Sequence, residues 1–337
     1  VLWTINFIFS AISQQNFNPS YLIVYLSPIL FSFHNGYHIA KKLNLYQITS
    51  LIAFPLSLFC ILHISFSFIS MGIIPAIVAR LNENIFNIIG IYQMRIYFPS
   101  IVATTIFLQI GKLLFNPSIK HKLLNYLCLV PLFLESLFLA SREGLLSIIS
   151  CTFITLLLFK RSAIKKILLI LGILLTFLFI AYEIEIKKHI TLTEITFIER
   201  FMSFKKNIDN HSPGGRLEEW SEGIRNIKKT HIITGEGFII QPIRKTPHNQ
   251  YIDLIQKSGL ISFLVFFLFL IALLTHTHKS TSKEKYILFP LLLNWTILSL
   301  MVNTPLRAPL TASLMWFIFG YAAYNKNKDP NKTTNYV

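Results

Sequence analysis

Three stretches of the sequence hold side chains able to do chemistry at a useful spacing. In Pro247-His248-Asn249-Gln250-Tyr251 an imidazole stands where a helical pattern begins. Histidine titrates near neutrality, with an unperturbed pKa of about 6.5, so His248 is suited to take a proton from a hydroxyl. Residue type alone does not single it out, because His189, His211 and His231 lie in the same hydrophilic region. In Gly214-Gly215-Arg216-Leu217-Glu218-Glu219-Trp220 a flexible glycine pair opens a helix. Arg216 and Trp220 then share a face at i, i+4. An arginine at a helix N-terminus suits an anion, and the indole offers a flat surface to a sugar ring.

The third stretch is Ser141-Arg142-Glu143-Gly144, set between two apolar runs with almost no loop. The Arg142 guanidinium is expected at the outer membrane interface, where a charge is costly and marks a functional site by default. Glu135 lies seven residues earlier on the same helical face and is the expected neutralising partner, with a purely structural ion pair as the alternative. Other signatures are missing. There is no nucleophile elbow, phosphate-cradling loop or HExxH, and Gly235-Glu236-Gly237 is an isolated turn without a strand before it. His34/His38 and His276/His278 sit at helix ends without Cys or well-placed carboxylates, so neither metal nor cofactor is expected. Cys60, Cys128 and Cys151 lie inside apolar runs without a CxxC pair and read as packing residues.

The elements that must carry these groups follow from composition. Of 337 residues 53% are apolar, 30 are Phe and only 14% are charged, with a mean hydropathy of +0.57. Soluble domains carry about 25% charged residues. A water-soluble globule is therefore excluded, and an all-α polytopic membrane protein remains. The net charge of +16 would suggest nucleic acid in a soluble protein; here it is orientation signal, and no nucleic-acid partner is expected. Ten apolar segments qualify as transmembrane helices: 1–12, 20–36, 47–69, 97–114, 124–140, 144–159, 164–182, 258–275, 286–302 and 308–324. The first is too short to span alone and the chain starts at Val1 without Met, so either the initiation codon is read as Val or some N-terminal sequence is missing.

Alternate loops sort by charge. Lys41/Lys42, Lys112/Lys120/Lys122, Lys160/Arg161/Lys165/Lys166, Lys279/Lys283/Lys285 and Lys326/Lys328/Lys332 fall on one side, accompanied only by Glu284 and Asp329. The positive-inside rule makes that side cytoplasmic, with both termini inside. Residues 183–257 form one large hydrophilic loop on the outer side, with helical turns expected near 194–206, 216–230 and 247–257, the last running through Gly259 into the next span. Residues 70–96 form a smaller outer loop. The division is thus N-terminal spans over 1–182, the loop over 183–257, and C-terminal spans with a tail over 258–337. Outside the large loop the outer basic residues Arg80, Arg95, Arg142 and Arg307 are all arginine. Insertion needs only positive charge, whereas an arginine fork binds phosphate at two points, so a phosphate-bearing lipid ligand is indicated; snorkelling to headgroups is the alternative for Arg80, Arg95 and Arg307.

The combination resembles the bacterial O-antigen polymerase and O-antigen ligase superfamily. The likeness rests on the Ser141-Arg142 pair at a span boundary, Gly214-Gly215-Arg216 with Trp220, Gly235-Glu236-Gly237-Phe238, and Pro247-His248-Asn249-Gln250-Tyr251 with Gly259-Leu260 entering a helix. It covers about 140–275; the rest matches in topology only, and the chain is shorter than such proteins usually are. The resemblance implies a GT-C-like, metal-independent inverting glycosyltransferase of the bacterial inner membrane, with its active site on the periplasmic face. Donor and acceptor would be oligosaccharides on undecaprenyl pyrophosphate, with membrane lipids and a chain-length regulator as further partners. Family arginines matching Arg142 and Arg216 are thought to hold the pyrophosphate, and a histidine matching His248 to activate the acceptor hydroxyl. Arg225 and Arg244 stand in reserve for the phosphate. Glu219 would orient His248 or act as base in its place, and Trp220 and Asn249 complete the sugar-binding set.

Within the superfamily, the His248-Asn249-Gln250-Tyr251 form and the following Gly259-Leu260 favour the polymerase over the ligase, which would transfer the chain to lipid A–core. A polysaccharide or lipid transporter is the rival from another class. Transporters place polar or broken helices at mid-membrane, whereas here the polar inventory is gathered in one external loop.

Overall fold

The computed structural model describes residues 28–72, 94–116, 122–138, 147–151, 153–155, 172, 216–227, 232–235, 249–299 and 309–324. Among them there is no strand. A π-helical turn, Pro28–Ser32, leads into α1, Phe33–Ile39. The longer helices are α2, Leu45–Met71; α3, Met94–Phe115; and α4, Lys122–Phe138. The short α5, Arg216–Arg225, precedes α6, Gln250–His278; α7, Lys285–Leu298; and α8, Pro309–Tyr324. Three stretches are long and apolar enough to cross a membrane: Leu45–Ser70, Phe98–Phe115 and Gln250–His278. The chain is a helical membrane protein. Spans expected at 1–12 and 164–182 lie outside the described helices, as do the turns near 194–206; the span expected at 144–159 is helical at 147–151 and 153–155.

Two compact units emerge, one of residues 43–204 and one of residues 1–42 with 205–337. In the first, α2, α3 and α4 pack on one another. Asn44 starts α2 with a capping box, its side chain accepting from Gln47 N while the Gln47 side chain accepts from Asn44 N. The unit has an apolar interior and, unlike a soluble bundle, an apolar outer surface as well. Leu51, Phe54, Leu58, Leu62 and Ile69 of α2 are exposed, as are Leu123, Leu127 and Val130 of α4. His63, Thr105, Gln109, Asn125 and Glu135 are buried. Apolar side chains cost nothing against lipid tails, whereas polar ones must find partners between helices, and this distribution is what a bilayer selects.

Hydroxyls that fall inside these helices bond back to the preceding turn: Thr49 to the Leu45 carbonyl, Ser67 to that of His63 and Thr105 to that of Ile101. Ser57 instead crosses from α2 to the Cys128 carbonyl of α4, at 3.1 Å. Near one end of the unit Lys112 is itself buried, its Nζ donating to Ser50 Oγ and Asn125 Oδ1 at 2.6 and 2.5 Å. Gln109 donates to the same Asn125 oxygen at 3.0 Å.

In the second unit α1 and α8 cross at a glycine on each helix. A Cβ at Gly36 would overlap the Phe317 carbonyl, and one at Gly320 the Phe33 carbonyl, so only glycine permits this approach. Around the crossing, Trp316 lies against Phe33, Phe266, Phe269 and Phe319. Tyr321 closes the other end by donating to the buried Glu284 carboxylate at 2.9 Å. This aromatic packing fixes α6, which carries the candidate site at its first turn.

Candidate functional site

The site is assembled from the short helix α5 and the head of α6. Helix α5 starts at Arg216, directly after the glycine pair, and its last residue is Arg225. The sequence places a helix over 216–230; the structure ends it after ten residues, with Asn226 and Ile227 in the turn beyond. Arg216 and Trp220 are one turn apart on this helix. Trp220 is half-buried, and its Nε1 is buried without a hydrogen-bond partner among the described residues. Glu219 is half-buried beside it and Arg225 is exposed. Gln256 Nε2 donates to the Gly223 carbonyl at 2.6 Å, which fastens α5 to α6.

Helix α6 begins with a cap. Asn249 is buried, and its Oδ1 accepts from Tyr251 N and Ile252 N at 3.0 and 3.2 Å. Those are two of the amides that a helix start otherwise leaves unpaired. The Asn249 oxygen therefore has a structural task, which leaves its amide nitrogen as the group to offer a substrate. The first turn is anchored to the end of α7 as well. Gln250 N donates to the Ser299 carbonyl at 2.8 Å, and Tyr251 OH to that of Thr296 at 2.7 Å. Asp253 and Lys257 add an i, i+4 pair at 2.7 Å along the same helix.

A continuous helix through Gly259 is the sequence expectation, and here the structure differs. Gly259 has φ 79 and ψ 171, which breaks α6 into two helical segments. The break is filled by the loop. Leu260 N donates to the Ile232 carbonyl at 2.8 Å, and a Cβ on Gly259 would collide with the Ile233 carbonyl. Gly235, read from sequence as an isolated turn, has φ 79 and lies against the Lys257 carbonyl. The Gly235 turn is thus seated in the α6 break, and the two glycines together join the hydrophilic loop to the entering span.

The remaining site residues divide as follows. Glu219, Trp220, Arg225 and Asn249 are described, all on α5 or at the head of α6. His248, Arg142 and Arg244 lie outside the described residues, and so does the side chain of Arg216. Glu135, expected to neutralise Arg142, is joined to His63 of α2, with Nδ1 and Oε1 2.5 Å apart and both side chains fully buried; the expected pair with Arg142 lies outside the described residues. Sequence reasoning did not single out His63, although a lone imidazole inside an apolar span was a signal for it. Nor did it single out Gln250, whose signal was weaker, a polar residue at the first position of a capped helix. Among the described residues no group of three His, Cys, Asp or Glu converges to hold a metal.

Comparison with known proteins brings in the same part of the chain. Residues 127–267 match the family described as O-antigen ligase. The match runs from α4 into the second segment of α6 and includes every candidate site residue. No curated protein matches the chain.

Proposed function

We propose that this chain, which carries a domain of the O-antigen polymerase and ligase superfamily over residues 127–267, joins lipid-linked oligosaccharide repeat units by inverting glycosyl transfer at the periplasmic face of the bacterial inner membrane. The observation that carries the reading is the family match over the segment that holds Arg142, Arg216, Trp220 and His248. The helical membrane architecture supports it, because a polyprenyl donor must be met at the bilayer surface.

In this reading Arg142 and Arg216 hold the donor pyrophosphate, with Arg225 and Arg244 in reserve. Their guanidinium forks offset the charge that develops as the bond from the sugar anomeric carbon to phosphate breaks. The acceptor hydroxyl attacks that carbon from the opposite face and its proton passes to His248, with Glu219 orienting the imidazole or taking the proton itself. Undecaprenyl pyrophosphate leaves as a stable anion, so the step needs no metal. Trp220 stacks on a sugar ring and Asn249 contributes its amide N–H.

Polymerase and ligase share this donor chemistry and differ in acceptor. The His248-Asn249-Gln250-Tyr251 form favours a second lipid-linked repeat, and the family match is compatible with either acceptor. A lipopolysaccharide gel from a host lacking the gene, complemented with wild type or His248→Ala, separates them. A ladder that collapses to core plus one repeat, restored by wild type only, establishes the polymerase. Complete loss of surface O-antigen with long chains accumulating on undecaprenyl pyrophosphate establishes the ligase. An unchanged ladder in the deletion strain sinks both.

A further inference from the structure

Gln250 is completely buried, and neither its Oε1 nor its Nε2 has a hydrogen-bond partner among the described residues. A carboxamide offers two donors and two acceptor lone pairs, and burying it with none of them used is strongly unfavourable. A methionine would fill the same volume without that penalty. A glutamine retained under those terms fits a site whose partner arrives with a ligand.

Its position says which ligand. Gln250 is the first residue of α6, between the capping Asn249, whose oxygen is committed to Tyr251 N and Ile252 N, and Tyr251, whose hydroxyl is committed to the Thr296 carbonyl. Its own backbone N–H is fixed to Ser299 O, so the side chain leaves a rigid point of the fold. Other polar groups of this helix are engaged: Asp253 with Lys257, Gln256 with Gly223 and Thr277 with the Leu273 carbonyl. Gln250 stands two residues after His248, the proposed base.

We infer that the Gln250 carboxamide binds the acceptor sugar, its Oε1 accepting from one ring hydroxyl and its Nε2 donating to a neighbouring oxygen, so as to fix which hydroxyl meets the base. This rests on the glycosyl-transfer reading above. The Asn249 oxygen, beside it, serves the helix cap; the Gln250 carboxamide serves selection.

The test uses the full-length protein in lipid nanodiscs, with the lipid-linked repeat unit extracted from the deletion host as substrate. Melting temperature and the kinetics of chain elongation are measured for wild type, Gln250→Met and Gln250→Glu. Expected for Gln250→Met is a melting temperature at or above that of wild type, with the acceptor KM raised about 10- to 100-fold, as two lost hydrogen bonds imply, and kcat within a few-fold. Gln250→Glu, which keeps the accepting oxygen and loses the donor, should fall between the two. A Gln250→Met protein that elongates with the wild-type KM overturns the inference alone. So does one that melts lower while its folded fraction elongates normally, since that is a structural amide. A wild type that melts cooperatively yet neither elongates the repeat nor transfers it to added lipid A–core overturns the glycosyl-transfer reading first, and the inference with it.

Discussion

Nδ1 of His63 on α2 and Oε1 of Glu135 on α4 are joined by a 2.5 Å hydrogen bond, with neither side chain exposed at all. Glu135 Oε2, by contrast, has no hydrogen-bond partner among the described residues. Whether the shared proton rests on nitrogen or oxygen, the pair is neutral as a whole, and this makes it tolerable inside an apolar three-helix unit. Cys60, fully buried, lies one turn before His63 on α2, and the Phe59 ring stacks near the imidazole at 6.3 Å.

Breaking such a pair strands one polar partner. Glu135→Ala should lower stability by about 3–5 kcal/mol, the usual cost of leaving half of a buried pair behind. Glu135→Gln keeps a hydrogen bond to the imidazole and should lose about 1 kcal/mol. Thermal melting of both variants in nanodiscs checks this; an Ala variant that melts with the wild type would mean that the pair contributes nothing to the fold.

Asn249 allows a second separation, between holding the helix and holding the substrate. Asn249→Asp keeps the oxygen that accepts from Tyr251 N and Ile252 N and removes the amide donor. Asn249→Ala removes both and should cost about 0.5–2 kcal/mol of stability as a lost cap. If the amide nitrogen meets substrate, Asp melts like wild type but elongates more slowly. Equal activity of Asp and wild type would confine Asn249 to capping.

How far the sequence reaches can be judged from these same residues. Spans expected at 47–69, 97–114, 124–140 and 308–324 correspond to helices at Leu45–Met71, Met94–Phe115, Lys122–Phe138 and Pro309–Tyr324, because hydropathy over a window is set by the residues themselves. The cap at Asn249 lies within the stretch 247–257 that the sequence gives as helical, although an asparagine before a helical pattern is a signal for it. What a window average cannot carry is who meets whom. Lys112 reads as one more cytoplasmic lysine, yet it is buried against Ser50 and Asn125. Glu135 also meets a histidine 72 residues away, a contact that its sequence neighbourhood does not announce. Gly259 reads as a neutral residue in an apolar run, and its positive φ becomes necessary only because the Ile232–Gly235 turn is seated there.

The Lys112 cluster yields a third expectation. Asn125 Oδ1 accepts from both Lys112 Nζ and Gln109 Nε2, while Ser50 Oγ also accepts from the ammonium and the Asn125 backbone carbonyl from the amide. Asn125→Leu removes that oxygen but leaves Lys112 Nζ with Ser50 Oγ and Gln109 Nε2 with the backbone carbonyl of residue 125, so it should cost about 0.5–1.5 kcal/mol for each hydrogen bond lost. Combining it with Lys112→Met should recover part of the loss, because the buried charge is then gone. A double variant no more stable than Asn125→Leu alone would show that Ser50 by itself satisfies the ammonium.

Gly259 is the position where fold and function are most tightly coupled. Its φ of 79 disfavours any L side chain, and the space a Cβ needs is taken by the Ile233 carbonyl. Gly259→Ala should therefore expel the 232–235 turn from the α6 break, with a backbone strain of about 1–3 kcal/mol in addition to the collision. The hydrogen bond from Leu260 N to Ile232 O goes with it. Because α6 also carries Asn249 and Gln250 at its head, elongation should fall by more than the loss of folded protein explains. Gly172→Ala is the control, since a Cβ there meets nothing within 4 Å. It should leave melting and elongation unchanged. Hydrogen exchange locates the effect: Gly259→Ala should speed exchange of the Leu260 amide while the α2, α3 and α4 amides stay protected. Unchanged protection at Leu260 in an inactive Gly259→Ala variant would mean that the turn stays seated and that activity is lost by another route.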